Sequence, residues 1–362
     1  MIHITFPFNG AVLNHRHGKQ TDSSLLINVT GTAPNCAKVT VNGVEARRAG
    51  ELFSAEIPIT KFETRITACA TGVQGESQHS VRVVWDKYSR PRYRFSIDDN
   101  SFFLRDLFHR RPKSIFDSLY LSQLKELHNE FGVKFTLNLF YETPEREFNL
   151  SMMPDTWKGE FQDNSGWMRM TWHANCEFPD RPYQYATADQ VARDYELIHG
   201  EVNRFAGEES WVVPTIVHWG ELLPSVFKTL HAKGVNALSG YFVRDEQRYI
   251  VSFGLDEARC AYMENHDAFM DWDSGIVFTR TDIVFNNTPV EQVVPILSAQ
   301  IQHPDTAEFV DLLTHEQYFW PGYFNFRPDH KKRIATGLRF LTDNGYEPVW
   351  MNEGFLGVPK AD

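Results

Sequence analysis

The stretch that most constrains this chain is Tyr93-Arg94-Phe95-Ser96-Ile97-Asp98-Asp99-Asn100. Its first five residues alternate and are β-prone, as in a strand buried among other elements, and two acids then stand side by side. Adjacent carboxylates at a strand end repel each other, and one needs a counter-charge to stay ionised beside the other. A divalent metal supplies that counter-charge most directly, leaving one Asp as a ligand and its neighbour as a base. A solvated strand-to-loop junction is the plainer reading of the same residues, so the decision falls on what the rest of the chain brings to this strand end.

After the pair, apolar runs alternate with longer amphipathic stretches, the pattern of repeated β-α units. A helix is expected over 114–131, where Ile115, Leu119, Leu121, Leu124 and Leu127 form one stripe and Gly132 ends it. Strands are expected at 133–140, 167–172, 211–217, 235–238, 276–278, 282–285, 309–314 and 346–349. Helices are expected near 188–205, 222–232 and 329–343. Residues 89–362 therefore read as a distorted (β/α)7–8 barrel. Residues 1–88 differ: short β-prone runs are separated by turn signals such as Asn9-Gly10, Asn42-Gly43 and Ala49-Gly50. That rhythm predicts an N-terminal β-sandwich of immunoglobulin or fibronectin type III style, a structural or sugar-positioning module joined through a linker at 86–91.

Polar residues fall at particular places in the second region. Asp98 and Asp99, His173, His218 and His315 each close a predicted strand, and the carboxyl ends of the strands are the rim where barrel enzymes collect catalytic groups. Separate strands delivering acids and imidazoles to one rim are hard to explain as packing. Aromatics make up 14% of the chain, and several crowd the same rim, including Trp172 and Tyr183 after the third strand and Tyr318 and Trp320 after His315. Such rings can stack on pyranose faces, which makes these four the candidate substrate residues. A net charge of −11 argues against nucleic-acid or anionic-membrane partners, which require a basic face. Cys36, Cys69, Cys176 and Cys260 show no metal-finger spacing, and a Cys36–Cys69 bridge within the first domain is the one pairing considered. No apolar leader or membrane span is visible, which leaves a cytoplasmic chain or one whose signal has been removed.

At these residues the chain resembles the polysaccharide deacetylase family. Phe95-Ser96-Ile97-Asp98-Asp99-Asn100 is similar to that family's T-F-D-D-G opening, 131–136 is similar to its second strand, and Leu313-Thr314-His315 is similar to its closing L-x-H. The resemblance spans Tyr93 to about Tyr346 and excludes the first domain. It implies a metal-dependent hydrolase that removes N- or O-linked acetyl groups from a saccharide by metal-activated water, with zinc first among the divalent metals. Asp98 becomes the general base, Asp99 and His173 metal ligands, and His315 the general acid. The sequence departs from the pattern in three places. His173 is followed four residues later by Glu177 where the family has a second histidine; His218 stands where the family has an arginine motif; Asn100 replaces a glycine. Glu177 and His218 are therefore both candidates for the third ligand. Asp267 and Asp271-Trp272 bear a further, looser similarity to the family's D-x-x-D-W. A glycoside hydrolase using Asp98 and Glu177, or a non-catalytic carbohydrate-binding protein, are the alternatives. The sequence does not fix the oligomeric state.

Overall fold

The structure, a computed structural model, describes residues 1–33, 38–72, 75–353 and 355–358. The chain divides into two compact units, Met1–Ser89 with Ala268–Asp273 and Glu353–Asp362, and Arg90–Asp267 with Ser274–Asn352. Cys36 lies outside the described residues, and so does the bridge considered for it.

The first unit is built on two sheets. One orders His3–Phe6, Leu25–Thr32, Leu52–Ile59 and Arg47–Ala49, with Lys19–Gln20 also paired to Leu25–Thr32. The other orders Val12–Leu13, Gly75–Trp85, Glu63–Gly72, Lys38–Val41 and Val44–Glu45. Strict alternation buries Leu25, Ile27 and Val29 on one strand and Phe53, Ala55, Ile57 and Ile59 on the next, so each strand contributes one face to the core. Asn42 and Gly43 both take positive φ (46° and 83°), the two-residue turn whose twist suits a hairpin. The late segment Ala268–Asp273 returns to this unit, a feature that a sequence boundary at residue 88 does not anticipate. Ala11 bridges Phe269, and a side chain at Gly10 would come within 2.4 Å of the Phe269 ring.

The second unit is centred on parallel strands β1 (Arg92–Asn100), β2 (Phe135–Phe140), β3 (Met168–Ala174), β4 (Ala237–Gly240), β5 (Ile276–Arg280), β6 (Ile283–Val284), β7 (Phe309–His315) and β8 (Glu347–Pro348). They run in spatial order β3-β2-β1-β7-β6, with β8 also paired to β1, while β4 and β5 pair in a separate sheet. The helices are α1 (Phe102–Arg110), α2 (Leu119–Phe131), α3 (Lys158–Asp163), α4 (Ala188–Phe205), α5 (Pro224–Ala232), α6 (Glu257–Met263), α7 (Val290–Gln302) and α8 (His330–Asp343). Among the described residues no sheet closes on itself, so the expected barrel is two separate ladders of parallel strands. The reason lies in the predicted strand at 211–217. Pro214 lacks an amide donor, and only an isolated bridge between Met170 and Trp211 joins this segment to β3. The helix expected from residue 114 begins as a short turn at Ile115–Asp117 and continues as α2; α1 is additional to the sequence reading.

Period-two geometry sorts the β1 side chains. Tyr93, Phe95 and Ile97 take one side, with Phe95 stacked on Phe285 at 5.6 Å and edge-on to Phe135 at 5.0 Å. Arg94, Ser96 and Asp98 take the other, in register with Asp311, Leu313 and His315 of β7. Arg94 and Asp311 pair in full burial, with Thr215 accepting from the guanidinium at 2.8 Å and Ser239 donating to the carboxylate at 2.5 Å. The same register carries Asp98 and His315 side by side to the carboxyl end of the sheet.

Candidate metal centre

At that end lies a cavity of about 360 Å³ whose wall includes Asp98, Asp99, His173, Glu177, His218 and His315. Three of these converge. Asp99 Oδ1 lies 3.2 Å from His173 Nε2 and 3.5 Å from His218 Nδ1, and the two ring nitrogens are 3.1 Å apart. The three donor atoms form the metal-compatible group among the described residues. His173 and His218 are buried, and Asp99 is nearly so. Asp99 Oδ1 is a buried oxygen without a well-formed hydrogen bond.

These observations fit a cation. An ion with tetrahedral bonds of about 2.0–2.1 Å holds its ligand atoms roughly 3.3–3.4 Å apart, the spacing of this triangle. A carboxylate and two imidazoles suit zinc or a neighbouring divalent metal, and three protein donors leave a fourth position open. The electrostatics agree. Burial would raise the Asp99 carboxyl, but the hydrogen bond from His173 and the neighbouring His315 and His218 rings outweigh it and hold the group well below the usual carboxylate range. Burial, then the charge of His173, pushes His218 down to about 3, so its imidazole is neutral and able to ligate at neutral pH. Burial also works against charge on His173, yet Asp98 and Asp99 raise it. Backbone groups of Ile216 and Glu177 act on the His173 and His218 rings, the kind of partner that sets the orientation of ligating imidazoles.

Each donor arrives differently. Asp99 is the residue at which β1 breaks its regular geometry, with φ at 62°, a left-handed conformation that costs a non-glycine residue energy and clusters at functional sites. His173 projects from β3. His218 opens a single 3-10 turn, His218–Gly220, in which Trp219 has φ at 64°. It reaches the cluster although the strand expected to carry it is absent.

The remaining predicted residues separate into groups. Asp98 is buried; its Oδ1 accepts from Ser96 Oγ at 2.9 Å and Asn138 Nδ2 at 2.7 Å, and its Oδ2 lies 3.9 Å from His173 Nε2. His315 donates from Nδ1 to Asn286 Oδ1 at 2.9 Å, and its Nε2 lies 4.0 Å from Asp99 Oδ2. Glu177 lines the cavity but stands outside the three-atom cluster. The strand ends at Ala174, so a residue three positions on belongs to a loop and no longer shares the His173 face. Burial first, then Asp99, Glu145 and Asp180, pushes the Glu177 carboxyl up to about 7.

Two of the aromatic assignments require correction. Trp172 and Tyr183 are wholly buried. Trp172 adjoins His173 on a strand and therefore faces the opposite side, where it packs on Tyr183 and Tyr195. The Tyr183 hydroxyl donates to Asp194 at 2.9 Å and accepts from the Asn175 amide at 3.1 Å, so its polar atom is already used. Tyr318 and Trp320 are half-buried beyond His315, outside the described wall of the cavity. The aromatic faces in that wall are Trp219 and Tyr241, about 40% and 44% exposed, and Arg181 stacks over the Trp219 ring at 5.4 Å.

Sequence reasoning also missed the residues that orient the others. Asn138 is a polar residue within the apolar run of β2 and so was open to detection, whereas Asn286 and Gln317 carry no local signal. Asn100, where the resembling motif has glycine, donates to Ile97 O at 2.6 Å and accepts from the Tyr120 hydroxyl at 2.7 Å, fixing the end of β1. Asp271 and Trp272 belong to the first unit, and Asp267 is half-buried with its Oδ2 accepting from the Phe309 amide at 3.3 Å.

Neither a protein-family model nor a curated protein matches the chain. Among solved structures, it is similar to a peptidoglycan N-acetylglucosamine deacetylase over 76% of this chain and 92% of that one, at 11% identity and a TM-score of 0.41. A CE4 family pseudoenzyme from Bacillus anthracis aligns over 76% of this chain and 71% of its own length, at 10% identity and a TM-score of 0.35. A modular endo-β-1,4-mannanase from Cellulomonas fimi aligns over 24% of this chain, at 20% identity and a TM-score of 0.17, and this chain spans only 18% of that protein's length.

Proposed function

We infer that the chain is a metal-dependent hydrolase that removes acetyl groups, N- or O-linked, from a carbohydrate. The observation that carries the reading is the triangle of Asp99 Oδ1, His173 Nε2 and His218 Nδ1, set in the wall of a cavity that also holds Asp98 and His315. Those three residues would hold the ion, zinc first. Bound there, it would acidify a water molecule and polarise an acyl carbonyl.

The chain's own groups divide the proton work. Ser96 and Asn138 occupy Oδ1 of Asp98, which leaves Oδ2, on the His173 side, to accept a proton as general base. Asn286 takes the Nδ1 proton of His315, so Nε2 is the atom that delivers a proton to the departing amine or alkoxide. Trp219 and Tyr241 offer faces for a sugar ring, and Glu177 and Asp180 offer oxygens to its hydroxyls. Apolar neighbours such as Ile216, Val217 and Leu313 complete the wall.

The test is metal analysis of the purified chain together with acetate release from N-acetylated chitooligosaccharides and acetylated xylan. Asp99→Ala is expected to lose both bound metal and acetate release. A metal-free wild type, with no effect of Asp99→Ala, would overturn the reading. Release of reducing ends instead of acetate would reassign the site to glycosidic bonds.

A further inference from the structure

Only one of the two Asp99 oxygens faces His173 and His218 as a free donor; the other is engaged from behind. Gln317 is about 95% buried, being 5% exposed, and its Nε2 donates to Asp99 Oδ2 at 3.1 Å. It stands on the short turn Glu316–Phe319 immediately after β7, and the preceding Glu316 is bound to the backbone at the start of α1. The Gln317 amide is thus held against the end of β1 by a neighbour that is itself fixed. Its own Oε1 is buried without a hydrogen bond, a cost that a residue serving only to pack would not incur.

We propose that Gln317 is a positioning residue that keeps Asp99 a one-oxygen ligand. The proposal rests on the metal-hydrolase reading above. With Oδ2 bound to the amide, Oδ1 alone points at His173 Nε2 and His218 Nδ1. Without that donor the carboxylate can turn about its terminal torsion, a broad and weakly restrained one, and present both oxygens. A zinc site can expand from four to five ligands, so the amide decides the coordination number. The choice of an amide also has a physical reason. A lysine or arginine in the same place would hold the carboxylate equally well, but its positive charge would repel the cation. Glutamine orients Asp99 and leaves the full negative charge for the ion.

The experiment titrates the metal-free full-length chain with zinc against a chromophoric chelator, and records the visible absorption of the cobalt(II)-substituted protein. Gln317→Leu is expected to weaken zinc binding roughly 10–100-fold, the usual effect of removing a ligand's orienting partner. The cobalt absorption is expected to lose the intensity that marks a four-coordinate site. Gln317→Met supplies a second apolar replacement if the leucine variant does not fold, and thermal melts establish folding for both. Wild-type zinc affinity and an unchanged cobalt spectrum in a folded variant overturn the positioning role while leaving the metal centre intact. A folded wild type that binds neither ion overturns the centre itself, and the positioning role with it.

Discussion

Replacing Glu316 with glutamine should change how the protein's stability depends on pH, and the structure supplies the magnitude. Glu316 is wholly buried, and its two oxygens accept from the amides of Ser101, Phe102 and Phe103 at 2.7, 2.9 and 2.6 Å and from the Trp320 indole at 3.1 Å. Those amides are the unpaired donors at the start of α1, where the Ser101 side chain makes no cap. Burial pushes the Glu316 carboxyl from 4.5 up to about 7, in spite of the four donors that favour its ionised form. The folded state therefore keeps a proton that the unfolded chain has lost between these two values. The contribution of Glu316 to stability is greatest below pH 4.5, falls as pH rises through the window, and is fully lost above about pH 7. That rise of the carboxyl corresponds to about 3 kcal/mol. The assay is urea unfolding of the wild type and of Glu316→Gln at points across the window. Other raised carboxyls, such as Glu177 and Asp282, titrate in both proteins and cancel in the difference. The wild type should lose about 3 kcal/mol relative to the variant from low to high pH. A difference that stays flat would refute the claim that burial dominates at Glu316.

Two further outcomes separate the ligand and substrate assignments. His218→Ala should abolish retention of zinc through dialysis while Glu177→Ala keeps it, because only the former removes an atom of the three-donor cluster; metal-to-protein stoichiometry checks this. Trp219→Ala should raise KM for the saccharide roughly three- to tenfold with little change in kcat, as expected for a lost stacking face. Trp172→Ala should instead cost about 3–5 kcal/mol of stability in a denaturant titration, since that ring is wholly buried.

What the sequence made legible follows from the reach of each interaction. The alternation of β1 and β7 is a local property, and it correctly carried Asp98, Asp99 and His315 to one end of a parallel sheet. Applied consistently, the same rule would have removed Trp172 from the site, because it adjoins His173 on a strand and must face the other way. No local pattern marks Tyr183 as buried, since its hydroxyl is satisfied by Asp194, which lies on α4. His218 lies beside Asp99 and His173, but among the described residues no strand carries it. Pro214 breaks the ladder, and a turn, with Trp219 in a left-handed conformation, supplies the imidazole. Helix α1 escaped notice because its cap comes from Glu316, 215 residues beyond Ser101, and no local pattern encodes a donor–acceptor match over that separation. Gln317 reaches Asp99 across a similar distance. The groups proposed to do the chemistry are therefore announced mostly by strand periodicity. The groups that aim them come from turns and neighbouring strands, whose placement is decided only once the sheet has formed. A variant at Asp98 or His173 could be chosen from the sequence, whereas variants at Asn138, Asn286 and Gln317 could be chosen only from the fold.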